Sequence, residues 1–257
     1  MANVLVCVKR VPDPTGEVVL TADGMGVDGR YAGYTTSAHE DCAVELAIRI
    51  AEASGGVATV LTLGREDALE QLRAACAVGV GDAIRIDADA FAFGPADVAA
   101  AIADVVAARE ASGTTYELIL LGNDAADTGD FQVGIRLAYA LDRPVVAGVK
   151  TITVDGSLAT LRGDGPHGTD VYEVALPAVA TILEGGVNPR YPSVMGRMKA
   201  KRAPLEICTP RGEPAGSGRI ALTVPAPPPT AVTILGEGAA GARGVVDVLV
   251  SLGVVSR

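Results

Sequence analysis

Short runs of consecutive apolar residues alternate with longer segments of helical character along the first 141 residues. The runs are unbroken rather than interleaved with polar residues, which is typical of strands buried on both faces of a sheet. Because a helical segment separates each run from the next, the pattern predicts right-handed βαβ units and a doubly wound parallel sheet of the α/β class. The predicted strands include Val4 to Val8, Val57 to Leu63, Ala83 to Ile86 and Leu118 to Leu121, and the predicted helices cover residues 37–53, 67–78, 95–112 and 131–141.

The pattern changes near residue 150. Strand-like stretches then follow one another without a long helix between them, so we expect them to extend the sheet with antiparallel pairs. Residues 209–230 are rich in Pro, Gly, Ala and Ser, which favours a linker or an extended arm ordered by a partner subunit. The sequence therefore predicts an α/β domain over residues 1–186 and a loop with a long C-terminal arm over residues 187–257. The stretches are Lys150 to Val154, Leu158 to Leu161, Val171 to Ala175 and Ala178 to Leu183, with a last strand, turn and helix over Ala231 to Leu252.

Composition narrows the classes of function. The chain is 49% apolar but only 4% aromatic, without Trp, so the core must be aliphatic. A formal net charge of −10 argues against a nucleic-acid partner, because neutralising phosphates needs clustered Lys and Arg. We expect the four cysteines, Cys7, Cys42, Cys76 and Cys208, to be free thiols in a reducing cytoplasm, since none lies in a CxxC pair. With two histidines, and no run near the ~18 apolar residues of a membrane span, we expect no metal site and no span.

The loop LGNDAADTGDFQVG, residues 121–134, is the most informative candidate for a binding site. It leaves a predicted buried strand at Leu121, turns through Gly122, Thr128 and Gly129, and enters a helix near Phe131. Open α/β sheets bind ligands at the carboxyl ends of their strands. The amides and the dipole of a helix N-terminus favour an anion such as phosphate. The loop is therefore a candidate phosphate site.

Three acidic residues, Asp124, Asp127 and Asp130, lie in the same loop. Asp127 or Asp130 could accept hydrogen bonds from the hydroxyls of a ribose. The alternatives are an ordinary acidic loop and a metal loop, although the spacing and the terminal Glu of an EF-hand are missing. Carboxylates beside a phosphate are an objection to the nucleotide interpretation unless they face the sugar or solvent.

Motifs of other enzyme classes are absent or misplaced. The nucleophile elbow GxSxG, the Walker A string and HExxH do not occur. Two GxGxxG strings begin at Gly24 and Gly236, but the first lies between two short hairpin strands. The second is followed by too few residues to complete a βαβ unit. We therefore expect a tight turn at the first string and a helix entry at the second, and no catalytic residue is assigned.

Residues 187–206, VNPRYPSVMGRMKAKRAPLE, form the second unusual stretch. Val194, Met195 and Met198 lie on one side of a predicted short helix. A dense basic cluster accompanies them: Arg197, Lys199, Lys201 and Arg202. The segment is either a solvated helix face or a docking segment for an acidic or apolar surface of a partner.

Together these stretches resemble the beta subunit of electron-transfer flavoproteins over nearly the whole chain. VCVKRVPD is similar to the opening strand of that family, HEDCAVELAIRI to its first helix, and LGNDAADTGDFQVG to its nucleotide loop. LPAVATILEGGVNPRYPSVMGRMKAKRAP resembles the family signature, which is the most specific match, and TILGEGAAGARGVVDVLVSL resembles the C-terminal strand and helix.

The resemblance implies an adenine-nucleotide alpha-hydrolase-like fold and a heterodimer with an electron-transfer flavoprotein alpha subunit, on which residues 187–257 would pack. FAD would be held mainly by the alpha subunit. The beta subunit would hold AMP, or a second FAD in a flavin-bifurcating member. It would carry electrons from flavin dehydrogenases toward a quinone reductase without bond chemistry of its own. The cofactor-binding residues implied are Cys7, Ser37, Ala38, His39, Glu40, Leu63, Gly122, Asn123, Asp127, Thr128, Gly129, Asp130, Phe131, Gln132 and Val133.

The same resemblance implies two further groups of residues. The docking segment for dehydrogenases would comprise Arg190, Tyr191, Val194, Met195 and Met198, and Asp170 would lie near the flavin interface. The chain departs from the family pattern at Asn123, which replaces Lys or Arg, at Phe131, which replaces a small or polar residue, and in SAHED before the first helix. Backbone amides could still bind a phosphate without those side chains.

Two other classes share the general α/β architecture. A stand-alone regulatory module of the universal-stress type would carry a phosphate loop of the form G-x2-G-x9-G-[ST], which is missing. An adenylating enzyme of the alpha-hydrolase group would need a pyrophosphate loop similar to SGGxDS, which is also missing. The universal-stress alternative also leaves the chain after residue 187 unexplained.

Overall fold

The computed structural model describes residues 1–13, 15, 18–31, 33–226 and 232–256. The sequence also predicts a surface hairpin of Glu17 to Leu20 and Val27 to Arg30. Glu17, part of the run PAPPP at residues 225–229, and Ala231 at the start of the last predicted strand lie outside the described residues. The chain separates into two compact units, Met1–Thr223 and Val224–Arg257.

The first unit is built on a nine-stranded sheet in the order β11-β5-β4-β1-β6-β10-β7-β8-β9. The strands are β1 (Val4–Cys7), β4 (Ala58–Leu63), β5 (Asp82–Ile86), β6 (Leu118–Gly122), β7 (Val145–Asp155), β8 (Leu158–Gly165), β9 (Gly168–Ala175), β10 (Ala178–Ile182) and β11 (Leu205–Cys208). β2 (Val11–Pro12) and β3 (Tyr34–Thr35) form a separate two-stranded pair. The strands from β11 to β7 are parallel, whereas β7, β8 and β9 pair antiparallel. The predicted α/β class and the antiparallel extension are confirmed.

The helices of the first unit are α1 (Ala38–Ser54), α2 (Leu69–Val78), α3 (Pro95–Ala111), α4 (Val133–Ala140) and α5 (Val194–Ala200). Helix α1 begins at a capping box, for which the spacing of Ser37 and Glu40 in the sequence is typical. The Ser37 hydroxyl oxygen accepts from the Glu40 amide at 3.2 Å, and the Glu40 carboxylate accepts from the Ser37 amide at 2.8 Å. Gly55 ends the helix in the left-handed conformation, with φ 71°.

Side chains of β1 point alternately into two hydrophobic clusters. Val4 and Val6 pack in the cluster that contains α1 and α2, and Leu5 and Cys7 pack in the cluster that contains α3 and α4. The central strands are therefore buried on both faces, as their unbroken apolar runs predict. Cys7, Cys42 and Cys76 are buried, and all four cysteines are free thiols.

Two predictions about strands were wrong. Ala178 to Leu183 was predicted to pair antiparallel, but β10 lies between β6 and β7 and runs parallel to both. Its five residues are all buried, which is the pattern of a central parallel strand. β11 was not predicted, and it adds a parallel edge strand beside β5.

The first compact unit extends beyond the predicted domain boundary at residue 186. β11 joins the sheet, and α5 packs closely on α2, since a Cβ at Gly196 would lie 2.1 Å from the carbonyl oxygen of Ala77. Residues 187–223 therefore belong to the unit that carries the sheet. The packing of residues 187–257 on a partner subunit stays a prediction.

The second compact unit contains α6 (Gly238–Ser251). Glu237 precedes the helix, and the second GxGxxG string opens it, as predicted. Across the parts of the chain that the structure describes, no helix combines the length and the hydropathy that crossing a membrane requires.

Candidate functional site

A cavity of about 470 Å³ opens at the carboxyl ends of β1, β4 and β6. The chain leaves β1 through α1 toward β4 on one side, whereas β6 lies on the other side of β1. This is the point where the strand order reverses, and open α/β sheets bind ligands there. The volume lies within the range typical of small-molecule sites.

Most of the residues that the sequence implicates in cofactor binding line this cavity: Cys7, Glu40, Leu63, Gly122, Asn123, Asp127, Thr128, Asp130, Phe131, Gln132 and Val133. Ser37, Ala38, His39 and Gly129 are not part of the lining. His39 and Gly129 each adjoin a lining residue in the sequence, and Ser37 hydrogen-bonds to Glu40. Helix α4 begins at Val133 rather than at the predicted Phe131, so the loop is two residues longer at its end.

Two of the three loop carboxylates are paired with basic groups. Lys9 Nζ lies 2.7 Å from Asp127 Oδ1, and His39 Nε2 lies 3.1 Å from Asp124 Oδ1. His39 Nδ1 accepts from the amide of Glu184 at 2.9 Å, so Nε2 carries the hydrogen that is donated to Asp124. These pairs reduce the negative potential of the loop and weaken the electrostatic objection to an anionic ligand.

The side chain of Asn123 forms hydrogen bonds that connect neighbouring strands of the sheet. Its Oδ1 accepts from the Thr181 hydroxyl at 2.7 Å and from the Gly148 amide at 3.1 Å. These bonds join the end of β6 to β10 and β7. Asn123 thus serves as a structural link where the family pattern has a basic residue, and a phosphate in the loop would depend on backbone amides and on cations from elsewhere.

Glu40 lines the cavity beside Gly122. Its carboxylate also accepts from the Lys9 amide at 2.5 Å. Burial raises the pKa of Glu40 to about 7, although hydrogen bonds from Ser37 and Lys9 act in the opposite direction. A Cβ at Gly122 would lie 2.8 Å from Glu40 Cγ, so this position must be glycine for the loop to approach α1 so closely.

Several lining residues were missed by the sequence analysis. Lys9 and Arg10 directly follow β1, and their place at a strand end was a signal that could have identified them. Arg10 stacks on the Tyr34 ring at 3.4 Å from its centroid and lies 3.3 Å from Asp67. Phe91 and Phe93 come from the loop between β5 and α3.

Ser217 and Arg219 were also missed, and no local signal marks them. They belong to residues 213–222, which we call the strap because it runs over the cavity from the end of the sheet. The Asp97 carboxylate accepts from the amides of Ala215 at 3.0 Å and Gly216 at 2.9 Å. Farther along, the Arg219 guanidinium donates to the carbonyl oxygen of Met25 at 2.9 Å.

The predicted docking residues lie on a second surface of the first unit. The exposed fractions are 95% for Tyr191, 78% for Val194, 69% for Met195 and 66% for Met198. Ser193 caps α5, and its hydroxyl oxygen accepts from the Gly196 amide at 3.0 Å. The segment therefore presents a contiguous set of apolar side chains on a short, capped helix.

Arg190 is different from the other predicted docking residues because its side chain is turned inward. Its guanidinium donates to Glu45 Oε2 at 2.9 Å and to Glu52 Oε1 at 2.9 Å, both on α1. Asp170 lies on β9, where the Tyr172 hydroxyl donates to it at 3.3 Å. Neither Arg190 nor Asp170 lines the cavity. A metal site is not evident among the described residues, in which no cluster of three or more His, Cys, Asp or Glu side chains could hold an ion.

Comparison with known proteins agrees with this arrangement. A sequence model described as the electron transfer flavoprotein domain matches residues 29–211. The chain belongs to the electron-transfer flavoprotein family. It is 33% identical to the electron transfer flavoprotein subunit beta of Bacillus subtilis over 204 residues, which cover 79% of this chain and 77% of that protein. It is 35% identical to the subunit beta of Syntrophomonas wolfei over 207 residues, covering 79% and 78%.

A third relative is the caffeyl-CoA reductase-Etf complex subunit CarD of Acetobacterium woodii. It is 33% identical over 206 residues, covering 80% of this chain and 77% of that protein. The resemblance stated from the sequence motifs is thus confirmed. The chain is a beta subunit of the electron-transfer flavoprotein family, with a role in electron transfer, and a beta subunit implies an alpha subunit as its partner.

Proposed function

We propose that this protein is the beta subunit of a heterodimeric electron-transfer flavoprotein and that the cavity at the ends of β1, β4 and β6 binds AMP. The observation that carries the proposal is the position of the loop at residues 122–133, most of which lines a cavity of about 470 Å³ at the switch point of the sheet. A second FAD would take the same place if the complex is of the bifurcating type.

The cavity offers both components of a nucleotide site. The amides of the loop before α4 and the N-terminus of that helix favour the phosphate. Asp127 and Asp130 can accept from ribose hydroxyls. Of the basic side chains that line the cavity in the described residues, Lys9, Arg10 and Arg65 each pair with a carboxylate, whereas Arg219 donates to a backbone carbonyl. Arg219 is therefore the side chain best able to neutralise a phosphate.

We propose that the alpha subunit holds the electron-carrying FAD and that the complex passes electrons from flavin dehydrogenases toward a quinone reductase. The FAD supplies the redox chemistry when it is bound. The beta chain contributes a nucleotide that orders the loops around its switch point and a surface that docks the donor. This division of roles agrees with the absence of a nucleophile elbow, Walker A or HExxH motif from the sequence.

The experiment that tests the cofactor proposal is to purify the complex with its alpha subunit, denature it and identify the released nucleotides by mass spectrometry. One FAD with one AMP per heterodimer is the expected result. Two FAD molecules would indicate a bifurcating type. A stable, colourless assembly of this chain that ignores the alpha subunit would overturn the proposal.

We further propose that Tyr191, Val194, Met195 and Met198 dock the dehydrogenase. Four large side chains exposed on one short segment match the apolar anchors that dominate many protein interfaces. Changing Val194 and Met195 together to Ala should lower the rate of reduction by the donor dehydrogenase without changing the bound nucleotide. An exposed apolar residue away from this segment, such as Val18, provides the control substitution. An unchanged rate for the double variant would remove the docking role.

A further inference from the structure

All three phenylalanines of the chain, Phe91, Phe93 and Phe131, line the same cavity. Phe91 is 58% exposed and Phe131 is 56% exposed. Aromatic side chains contribute most when their large apolar surface is buried, and this chain has few of them. Their concentration in one cavity, with two rings open to it, indicates that a ligand covers the rings.

The backbone at Phe131 is held in an unfavourable conformation. Its φ is 55°, in the left-handed region, where the Cβ of a bulky residue crowds the neighbouring carbonyl and strains the backbone. Gly129 in the same loop has φ 57°, but glycine has no Cβ and adopts this conformation freely. A turn that needs only the backbone shape would be better served by Gly or Asn at 131.

Packing does not account for the ring at this position. More than half of Phe131 is exposed, and it lies at the cavity wall just before α4 rather than inside either hydrophobic cluster. By contrast, Phe93 packs against the cluster beneath α3 and α4. The strain at Phe131 therefore accompanies a side chain with little structural role in the described residues.

Phe91 approaches the cavity from the other side. It follows β5, whereas Phe131 follows β6, and β4 and β1 lie between these two strands in the sheet. The Asp89 carboxylate accepts from the Phe91 amide at 3.1 Å, which fixes the turn that carries the ring. The two rings thus flank the cavity, and only Phe131 belongs to the loop that enters α4.

We propose that Phe131 is a binding residue whose ring stacks on the planar aromatic ring of the bound nucleotide. This inference rests on the proposed function, since it assumes that the cavity holds a nucleotide. Stacking of a base on an aromatic side chain tolerates many bases, because every base presents a π face. The ring at 131 therefore adds apolar affinity that does not depend on the phosphate.

The test compares Phe131→Asn, Phe131→Tyr and Phe91→Ala in the complete complex with the alpha subunit. Asn adopts the left-handed region readily but has no ring, whereas Tyr keeps a ring. The affinity for the fluorescent analogue 1,N6-ethenoadenosine monophosphate is measured by titration after the bound nucleotide has been removed. The stability of the nucleotide-free complex is measured by urea unfolding.

We expect Phe131→Asn to weaken binding by about tenfold or more, in line with the effect of removing one stacked aromatic ring. The same variant should unfold at a urea concentration equal to or higher than wild type, because the backbone strain is relieved. The affinity of Phe131→Tyr for the analogue should lie within about threefold of the wild-type affinity, because this variant keeps an aromatic ring. A purely structural role would instead lower stability and affinity together.

The inference is overturned if Phe131→Asn binds as wild type does, if it loses stability together with affinity, or if Phe91→Ala alone shows the loss. In each of these cases the wild-type complex still binds the analogue, so the proposed function stands. A wild-type complex that binds neither the analogue nor AMP removes the proposed function, and this inference with it.

Discussion

Arg190 binds Glu45 through both its backbone amide, at 3.1 Å, and its guanidinium, at 2.9 Å, although 145 positions separate them in the sequence. Only 3% of the Glu45 side chain is exposed, so the carboxylate depends on these partners for its negative charge. Burial by itself would raise the pKa of Glu45, but hydrogen bonds from Arg190 and Arg49 outweigh it and hold the pKa below its usual range. The pair attaches the start of the docking segment to α1.

We expect Arg190→Ala to lower the free energy of unfolding by about 3 kcal/mol, because it leaves Glu45 buried with one fewer partner. Urea denaturation at neutral pH measures this loss. Arg49→Ala is the matched control, since Arg49 binds the same carboxylate but is 51% exposed. It should cost less than about 1 kcal/mol. If the two substitutions lower the free energy of unfolding equally, Arg190 does not stabilise the buried carboxylate of Glu45 more than Arg49 does.

The strap is expected to leave the cavity in Gly94→Ala. A Cβ at Gly94 would lie 2.3 Å from the carbonyl oxygen of Gly216, while its φ of −83° suits any residue. Displacing the strap removes Ser217 and Arg219 from the lining, so affinity for AMP should fall by at least about tenfold, or about 1.4 kcal/mol. Isothermal titration calorimetry measures the change.

Gly212→Ala is the control for this experiment. It lies just before the strap, and a Cβ there would meet no atom within 4 Å. It should bind AMP as wild type does. If both glycine variants bind normally, the strap does not contribute to the site.

Arg219→Ala should lower the affinity for AMP by about 10- to 100-fold, because one hydrogen bond to a charged group is lost. Adenosine, which lacks the phosphate, should bind the variant and the wild type equally. The two ligands together separate a phosphate contact from general damage to the cavity. An equal loss for AMP and adenosine would mean that Arg219 supports the fold of the strap instead.

Glu40 should make the protein less stable as pH rises from about 5 to 7. Its pKa is about 7 in the folded protein and near 4.5 in an unfolded chain, so the folded state binds the proton more tightly. Stability from this group is therefore present below the unfolded pKa and is lost as pH rises toward the folded pKa. The free energy of unfolding, measured against pH by urea denaturation, should fall over that interval by a few kcal/mol.

The matched variant is Glu40→Gln, which cannot ionise. It should be close to wild type in stability at pH 5, because the Gln amide oxygen can also accept from the Ser37 amide and complete the capping box. Its stability should change less than that of wild type between pH 5 and 7. Parallel pH profiles for Glu40→Gln and wild type would show that Glu40 does not titrate in this interval.

Much of the sheet follows from local sequence. The unbroken apolar run Val4 to Val8 predicted a strand covered on both faces, and Ser37 with Glu40 marked the start of α1 through a motif four residues long. The position of the loop at residues 122–133 was also predictable, because a glycine-rich turn between a buried parallel strand and a helix lies at the carboxyl end of that strand. These features rest on contacts between near neighbours in the chain.

The direction of β10 depends on the tertiary structure rather than on the sequence of the strand itself. The run AVATI at residues 178–182 carried the signal of a buried strand, but short connections on either side suggested another antiparallel pair. In the fold this strand occupies the gap between β6 and β7, where both of its faces are covered. Its direction depends on which gap in the sheet remains to be filled, and no local pattern encodes that.

The features of the site also divide into those that the sequence predicts and those that depend on the tertiary structure. The sequence by itself determined which apolar runs form buried strands, where the capped helix begins and which loop opens toward a ligand. Each of these follows from the spacing of apolar, capping and glycine residues. Only the tertiary structure decided that Lys9 neutralises Asp127, that Arg219 reaches the cavity and that Phe131 is strained and exposed in its wall. The reason is physical: charge pairing and ligand contact are set by distances in space, and the partners here lie up to about two hundred positions apart along the chain.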